Sequence, residues 1–235
     1  MADGFEFFSL YNTSISLEGN VVLENCQLGN VSQYSGVRFS CYGENNELID
    51  CSILRCQEDP NSYFDQLFYI KGQLTMTDCF FQGNSLPLCA NDGKLTMYNC
   101  VITNNSKGIE LKNSGSVELY NCTIASNGTA FFGTGNLNLY NCLLWNNALE
   151  YENVTTYSCI IVDNADNVKV KLKRPSFQRG TNSTDWSTAD WSLEAGSSCI
   201  NAGVFLYFPS DKIKTDIAGN ERISGNSIDV GAYEY

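Results

Sequence analysis

Thiols and carboxylates are the groups in this chain best equipped for chemistry. There are eleven cysteines, 26 Asp and Glu against 14 Lys and Arg, and no histidine. Without histidine, neither a Ser-His-Asp nor a Cys-His mechanism can be assembled. A zinc site would have to be all-thiolate, and Cys51 and Cys56, five residues apart, match no common zinc spacing. The run Asp163-Asn-Ala-Asp-Asn167 could offer carboxylates to calcium. It lacks the glycine and the ordered spacing of a calcium loop, so a solvated turn is the simpler reading and no cofactor is expected. The glycines fall at turns, and no phosphate loop or dinucleotide fingerprint is present.

Seven cysteines mark a repeat. Cys26, Cys51, Cys79, Cys100, Cys122, Cys142 and Cys159 follow one another at steps of 25, 28, 21, 22, 20 and 17 residues. The clearest copies are Leu95-Thr-Met-Tyr-Asn-Cys-Val-Ile-Thr-Asn-Asn105, Val117-Glu-Leu-Tyr-Asn-Cys-Thr-Ile-Ala-Ser-Asn127 and Leu137-Asn-Leu-Tyr-Asn-Cys-Leu-Leu-Trp-Asn-Asn147. A period near 20 that tolerates insertions belongs to a solenoid. Apolar residues two apart within each copy have strand spacing. Between copies lie further short strand-like runs: Val37-Arg-Phe, Phe68-Tyr-Ile, Ile109-Glu-Leu and Ala130-Phe-Phe. The chain is therefore expected to be all-β, a single right-handed parallel β-helix of about seven or eight rungs, roughly 35–40 Å long.

This architecture assigns places to the side chains. Asn25, Asp50, Asp78, Asn99, Asn121 and Asn141 form one column at a bend, where Asn tolerates the left-handed conformation. The seven cysteines stack inside the coil as core thiols. Cys41, Cys56, Cys89 and Cys199 fall outside that register and leave room for a disulfide; the odd total requires at least one free thiol. Two residues before the cysteines stand Tyr98, Tyr120, Tyr140 and Tyr157, facing outward by alternation. Two readings of this strip stand side by side: a surface ladder supporting the sheet or covered by the tail, or a platform that contacts a glycan or another chain.

Residues 1–20 read as an N-terminal cap or partial rung, in which Leu10-Tyr-Asn-Thr-Ser-Ile15 mimics the repeat with Thr13 in the cysteine place. The rungs occupy 21–174, with an exposed loop at Arg55–Tyr63 and one more strand at Val168–Arg174; 175–235 form a closing segment. A net charge of −12 argues against nucleic acid. No apolar segment is long enough to span a membrane. Met1-Ala-Asp-Gly-Phe lacks the basic start and apolar run of a signal peptide, so export would depend on a signal not seen here.

The closing segment resembles that of secreted bacterial right-handed parallel β-helix proteins, the pectin-lyase-like group with a choice-of-anchor Q type of ending. The matching residues are Ser198-Cys-Ile-Asn-Ala-Gly203, Asp216, Gly219, Arg222 and Asp229-Val-Gly-Ala-Tyr-Glu234. Cys199 stands where the group usually has Pro, and Asn201 where it has Asp. The resemblance implies a bacterial protein that is secreted or on the cell surface, with polysaccharide or cell-surface glycan as partner, and no assigned activity. Arg222 would pair with Asp216 or Asp229 in a structural role. Pectate-type lyases in the group imply calcium-binding acids and an Arg or Lys base on the outward face of one sheet. That face would carry Arg38, Tyr69 or Phe68, Leu88, Glu110, and Phe131 or Phe132, with Arg38 and Glu110 on the order of 15 Å apart. Glycosidases need two carboxylates about 5–10 Å apart, and Glu110 and Glu118 share a turn on different strands. The expectation is a non-catalytic, carbohydrate-binding module using Tyr98, Tyr120, Tyr140 and Tyr157; the alternative is a polysaccharide lyase or glycoside hydrolase.

Overall fold

The computed structural model describes residues 2–4, 6–7, 13–29, 37–58, 65–147, 154–162, 191–224 and 227–235. Three parallel sheets run the length of a coil. The first holds Ala2–Asp3, Val22–Glu24, Asn46–Ile49, Gln73–Thr77, Lys94–Tyr98, Ser116–Tyr120, Asn136–Tyr140 and Val154–Tyr157. The second holds Glu6–Phe7, Gln27–Gly29, Ser52–Leu54, Phe80–Gln82, Val101–Thr103, Thr123–Ala125, Leu143–Trp145 and Ile160–Val162. The third holds Thr13–Leu17, Val37–Cys41, Phe68–Ile70, Leu88–Asn91, Lys107–Lys112 and Thr129–Gly133. Among the described residues six coils carry all three strands and a two-stranded coil stands at each end, so the complete coils described are fewer than seven or eight.

The alternation inside each repeat decides what is buried. Leu95, Met97, Val117, Leu119, Leu137 and Leu139 pair coil to coil and are sealed in one core. Each buried Leu or Ile contributes about 1.5–3 kcal/mol, and only stacking removes it from water. The cysteine column lies inside, as spacing required. Cys100, Cys122 and Cys142 donate their S–H to the carbonyls of Tyr98, Tyr120 and Tyr140 at 3.1, 3.3 and 3.3 Å. All eleven cysteines are free thiols, including Cys41, Cys56, Cys89 and Cys199.

The bend between first and second sheets is left-handed in every coil. Asn25, Asp50, Asp78, Asn99, Asn121 and Asn141 have φ of 51°, 49°, 53°, 57°, 50° and 51°. A second asparagine column closes the opposite end of the second sheet. The backbone N–H groups of Cys56, Asn84, Asn105 and Asn127 donate to the Oδ1 of Asn84, Asn105, Asn127 and Asn147 at 2.8–3.0 Å. Each of these amides donates in turn to a carbonyl of the coil before: Ile53, Phe81, Ile102 and Ile124.

Several expectations are corrected. Thr13–Leu17 is a third-sheet strand paired with Val37–Cys41, so Thr13 does not occupy the cysteine place. Leu88 points inward, in register with Phe68 and Ile109; Cys89 takes the outward position between Tyr69 and Glu110. Arg222 does not pair with Asp216 or Asp229. It is fully buried, donates to the carbonyls of Asp229 and Gly231, and faces Glu234 at 3.9 Å. The carboxylates of Asp216 and Asp229 are turned to backbone N–H groups of Ala218, Asn220, Asn201 and Tyr235. The Val168–Arg174 strand, the Asp163–Asn167 turn and most of the loop before Tyr63 lie outside the described residues.

The tail closes one side of the rod. Val101, Ala125 and Leu143, outward on the second sheet, are buried against Trp191, Leu193, Cys199, Val230, Ala232 and Tyr233. It also runs along the corner next to the first sheet. Asn141 exchanges hydrogen bonds with Val204, and Asn99 donates to the carbonyl of Thr215. Among the described residues no helix is long and apolar enough to cross a membrane.

Candidate functional site

Among the described residues the tail covers the second sheet, and the outer faces of the first and third sheets carry the reachable side chains. On the first sheet the register sets Tyr98, Tyr120, Tyr140 and Tyr157 directly above one another. Their rings stack at centroid distances of 5.2, 4.5 and 4.8 Å with interplanar angles of 26°, 8° and 3°. All four are half-buried. Tyr207, from the 3₁₀ turn Phe205–Tyr207 of the tail, packs obliquely on Tyr140 and Tyr157 at 5.7 and 5.1 Å. Phe205 and Leu206 beside it are exposed. Alternation put the tyrosines on the outer face; nothing periodic foretold Tyr207.

A polar row runs beside the rings. Thr75, Thr96, Glu118, Asn138 and Thr155 share the outward position two residues before the tyrosine column. The same alternation could have found them. Lys94 reaches across one coil to Glu118 at 2.8 Å. Burial, then the Glu118 charge, pushes the phenols of Tyr98, Tyr120 and Tyr140 above the ordinary tyrosine range; Asp211 of the tail adds to this at Tyr98. These hydroxyls therefore stay protonated and act as hydrogen-bond donors and acceptors.

The third sheet carries a different set. Arg38 lies over the Tyr69 ring at 4.0 Å, Tyr42 meets that ring edge-on at 6.5 Å, and Asn91 donates to the Tyr69 hydroxyl. Two and three strands along, Lys112 holds Glu110 at 3.0 Å and Asp65 at 3.7 Å. Cys89 sits beneath them, its thiol pushed up to about 12 by burial and by Glu110. Of the alternatives left open for this face, Tyr69 and Phe132 occupy the outward register and Phe68 and Phe131 are core. Glu110 and Glu118 stand on different sheets, and no group of three or more metal-binding side chains occurs among the described residues.

No curated protein matches the sequence. Among solved structures, that of the pectate lyase Pel9A aligns with a TM-score of 0.47 at 16% identity, over 94% of this chain and 69% of the other. The model of the family described as right handed beta helix region matches residues 5–172. The three parallel sheets agree with that match, and the chain belongs to the right-handed β-helix family.

Proposed function

We propose that this protein is an exported or cell-surface module that binds a polysaccharide on the outer face of its first sheet, without catalysis. One observation carries the reading. The tail covers the second sheet and leaves four stacked tyrosines, flanked by hydroxyl, amide and charged side chains, on a half-open face of the first. Aromatic and polar groups repeated once per coil suit a ligand that is itself a repeating polymer. Export is compatible with the thiols: ten of the eleven are buried and Cys159 is half-buried, so an oxidising medium has little access to them.

The test is binding to a polysaccharide array, with Tyr120→Ala on the first sheet and Tyr42→Ala on the third, each checked for folding by circular dichroism. Retention lost in Tyr120→Ala and kept in Tyr42→Ala supports the reading. Retention unaffected by Tyr120→Ala sinks it.

A second reading, a polysaccharide lyase or hydrolase, has one observation in its favour: two carboxylates, Glu110 and Asp65, converge on Lys112 beside Tyr69. It requires release of unsaturated products or new reducing ends from a polymer, abolished in Glu110→Gln. Binding without any product decides for the module.

A further inference from the structure

Resting on the binding reading above, we infer that the first sheet selects an uncharged, hydroxyl-rich polysaccharide lying along the rod axis, and that Glu118 is the residue that rejects polyuronates.

The stacking geometry comes first. Rings that lie 4.5–5.2 Å apart and within 26° of parallel cover one another's faces. Away from the core the column offers ring edges and phenol hydroxyls at a spacing of about 4.8 Å, with Tyr207 packed over the Tyr140 and Tyr157 end. A ligand cannot lay sugar rings flat on each tyrosine in turn. It must instead meet a line of hydroxyls with its own, and the line runs along the axis. The neighbouring row of Glu118, Asn138 and Thr155 adds polar groups parallel to it.

Charge then chooses between polymers. The register sets Glu118 in the Tyr120 coil, between Thr96 and Asn138, and its charge acts on the phenols of Tyr98, Tyr120 and Tyr140. Asp211 adds a second negative charge at the Tyr98 end. Lys94 pairs with Glu118 at 2.8 Å, so each offsets part of the other's charge. The chain as a whole carries −12. A polyuronate would bring its carboxylates against Glu118 and Asp211 on a chain that is negative overall, whereas a neutral polymer is not repelled and can donate hydroxyls to Glu118.

Affinity electrophoresis tests this with three named polymers: a mixed-linkage β-glucan, a galactomannan and polygalacturonate, each at low and high salt. The expected result is retardation by at least one neutral polymer, insensitive to salt, and none by polygalacturonate. Tyr120→Phe, which keeps the stack and removes one hydroxyl, should weaken neutral-polymer binding about five- to tenfold. Glu118→Gln should raise affinity for polygalacturonate about fivefold at low salt, an effect that salt erases. Polygalacturonate bound at low salt as well as the neutral polymers, and lost in Tyr120→Ala, would overturn the selectivity and leave the binding reading standing. Neutral binding that survives Tyr120→Phe but not Tyr120→Ala would overturn the hydroxyl-row geometry alone. If no polymer is retained, or retention survives Tyr120→Ala, both fail together.

Discussion

Asn105→Ala isolates the device that ties one coil to the next at the far end of the second sheet. The Asn105 side chain is 2% exposed and makes four hydrogen bonds. Its Oδ1 accepts from the backbone N–H of Asn84 at 2.9 Å and from Asn84 Nδ2 at 3.1 Å. Its Nδ2 donates to the carbonyl of Phe81 and to Asn127 Oδ1, both at 2.9 Å. Truncation leaves one of these partners stranded. Asn84 Nδ2 keeps the Ile53 carbonyl, and Asn127 Oδ1 keeps the Asn105 backbone N–H. The Asn84 N–H loses its acceptor in a place water does not reach; the Phe81 carbonyl loses the side-chain bond but stays in the ladder with Val101–Thr103. The buried orphan costs about 1–3 kcal/mol and the other lost bonds add about 1–2, so the variant should lose about 2–5 kcal/mol. For a chain of this size that lowers Tm by roughly 5–15 °C. Thermal unfolding followed by circular dichroism reads it directly, with exposed Asn136→Ala as the control expected to stay within about 0.5 kcal/mol of the parent. A Tm for Asn105→Ala indistinguishable from that of Asn136→Ala would refute the claim that the column holds the coils together.

Three further outcomes are expected. An aromatic disulfide reagent at mildly alkaline pH should label at most Cys159 quickly in the native protein and all eleven thiols after denaturation. Burial pushes Cys41 up to about 11 and Cys199 up to about 12, so little thiolate exists there to react, and several fast native labels would contradict the internal column. Burial raises Glu234 to about 7 from an unfolded value near 4.5. A raised carboxyl favours the fold below its unfolded pKa and loses that contribution as pH climbs through the folded one, so Tm should fall between about pH 5 and pH 8. Glu234→Gln should flatten that fall, and an equal slope in both proteins would remove Glu234 as the cause. Gly133 has φ of +100°, and a Cβ there would lie 2.0 Å from the Leu111 carbonyl oxygen, so Gly133→Ala should cost several degrees of Tm or prevent folding; a neutral result would mean the third-sheet turns are looser than drawn.

The parts legible from sequence are those where one coil repeats the last. Apolar residues two apart in Leu95–Met97, Val117–Leu119 and Leu137–Leu139 specify an inside and an outside, and stacking leaves one register in which all insides coincide. The left-handed asparagines and the thiol column follow from the same repetition. Where alternation lapses, the inference fails. Leu86-Pro-Leu-Cys-Ala90 is an apolar run with no polar phase marker, so Leu88 and Cys89 could not be told apart until strand pairing placed them. The closing Asn84, Asn105, Asn127 and Asn147 were as regular as the cysteines. Their role stayed hidden because a buried asparagine ladder and an exposed turn look alike in sequence.

The candidate site depends on something repetition cannot encode. The outer faces of the first and second sheets are equivalent products of the same repeat, and the rod alone would expose both. The tail distinguishes them, through contacts that span more than a hundred residues: Asn121 to the Asp229 carbonyl, Asn99 to that of Thr215, and the Ala232 N–H to Thr123 Oγ1. The buried Arg222, bound to the Asp229 and Gly231 carbonyls and facing Glu234, fixes the loop that seals the second sheet. Among the described residues the tail seals the second sheet and meets the tyrosine strip through Tyr207, packed on Tyr140 and Tyr157, and Asp211, whose charge acts on Tyr98. Arg222→Met keeps much of the buried volume and removes the bonds to those carbonyls. If the tail decides which face is open, that change should expose Trp191 to a fluorescence quencher while leaving the β-sheet circular dichroism of the coil in place; loss of both signals together would mean that tail and coil fold as one unit and that the coil does not hold its faces ready on its own.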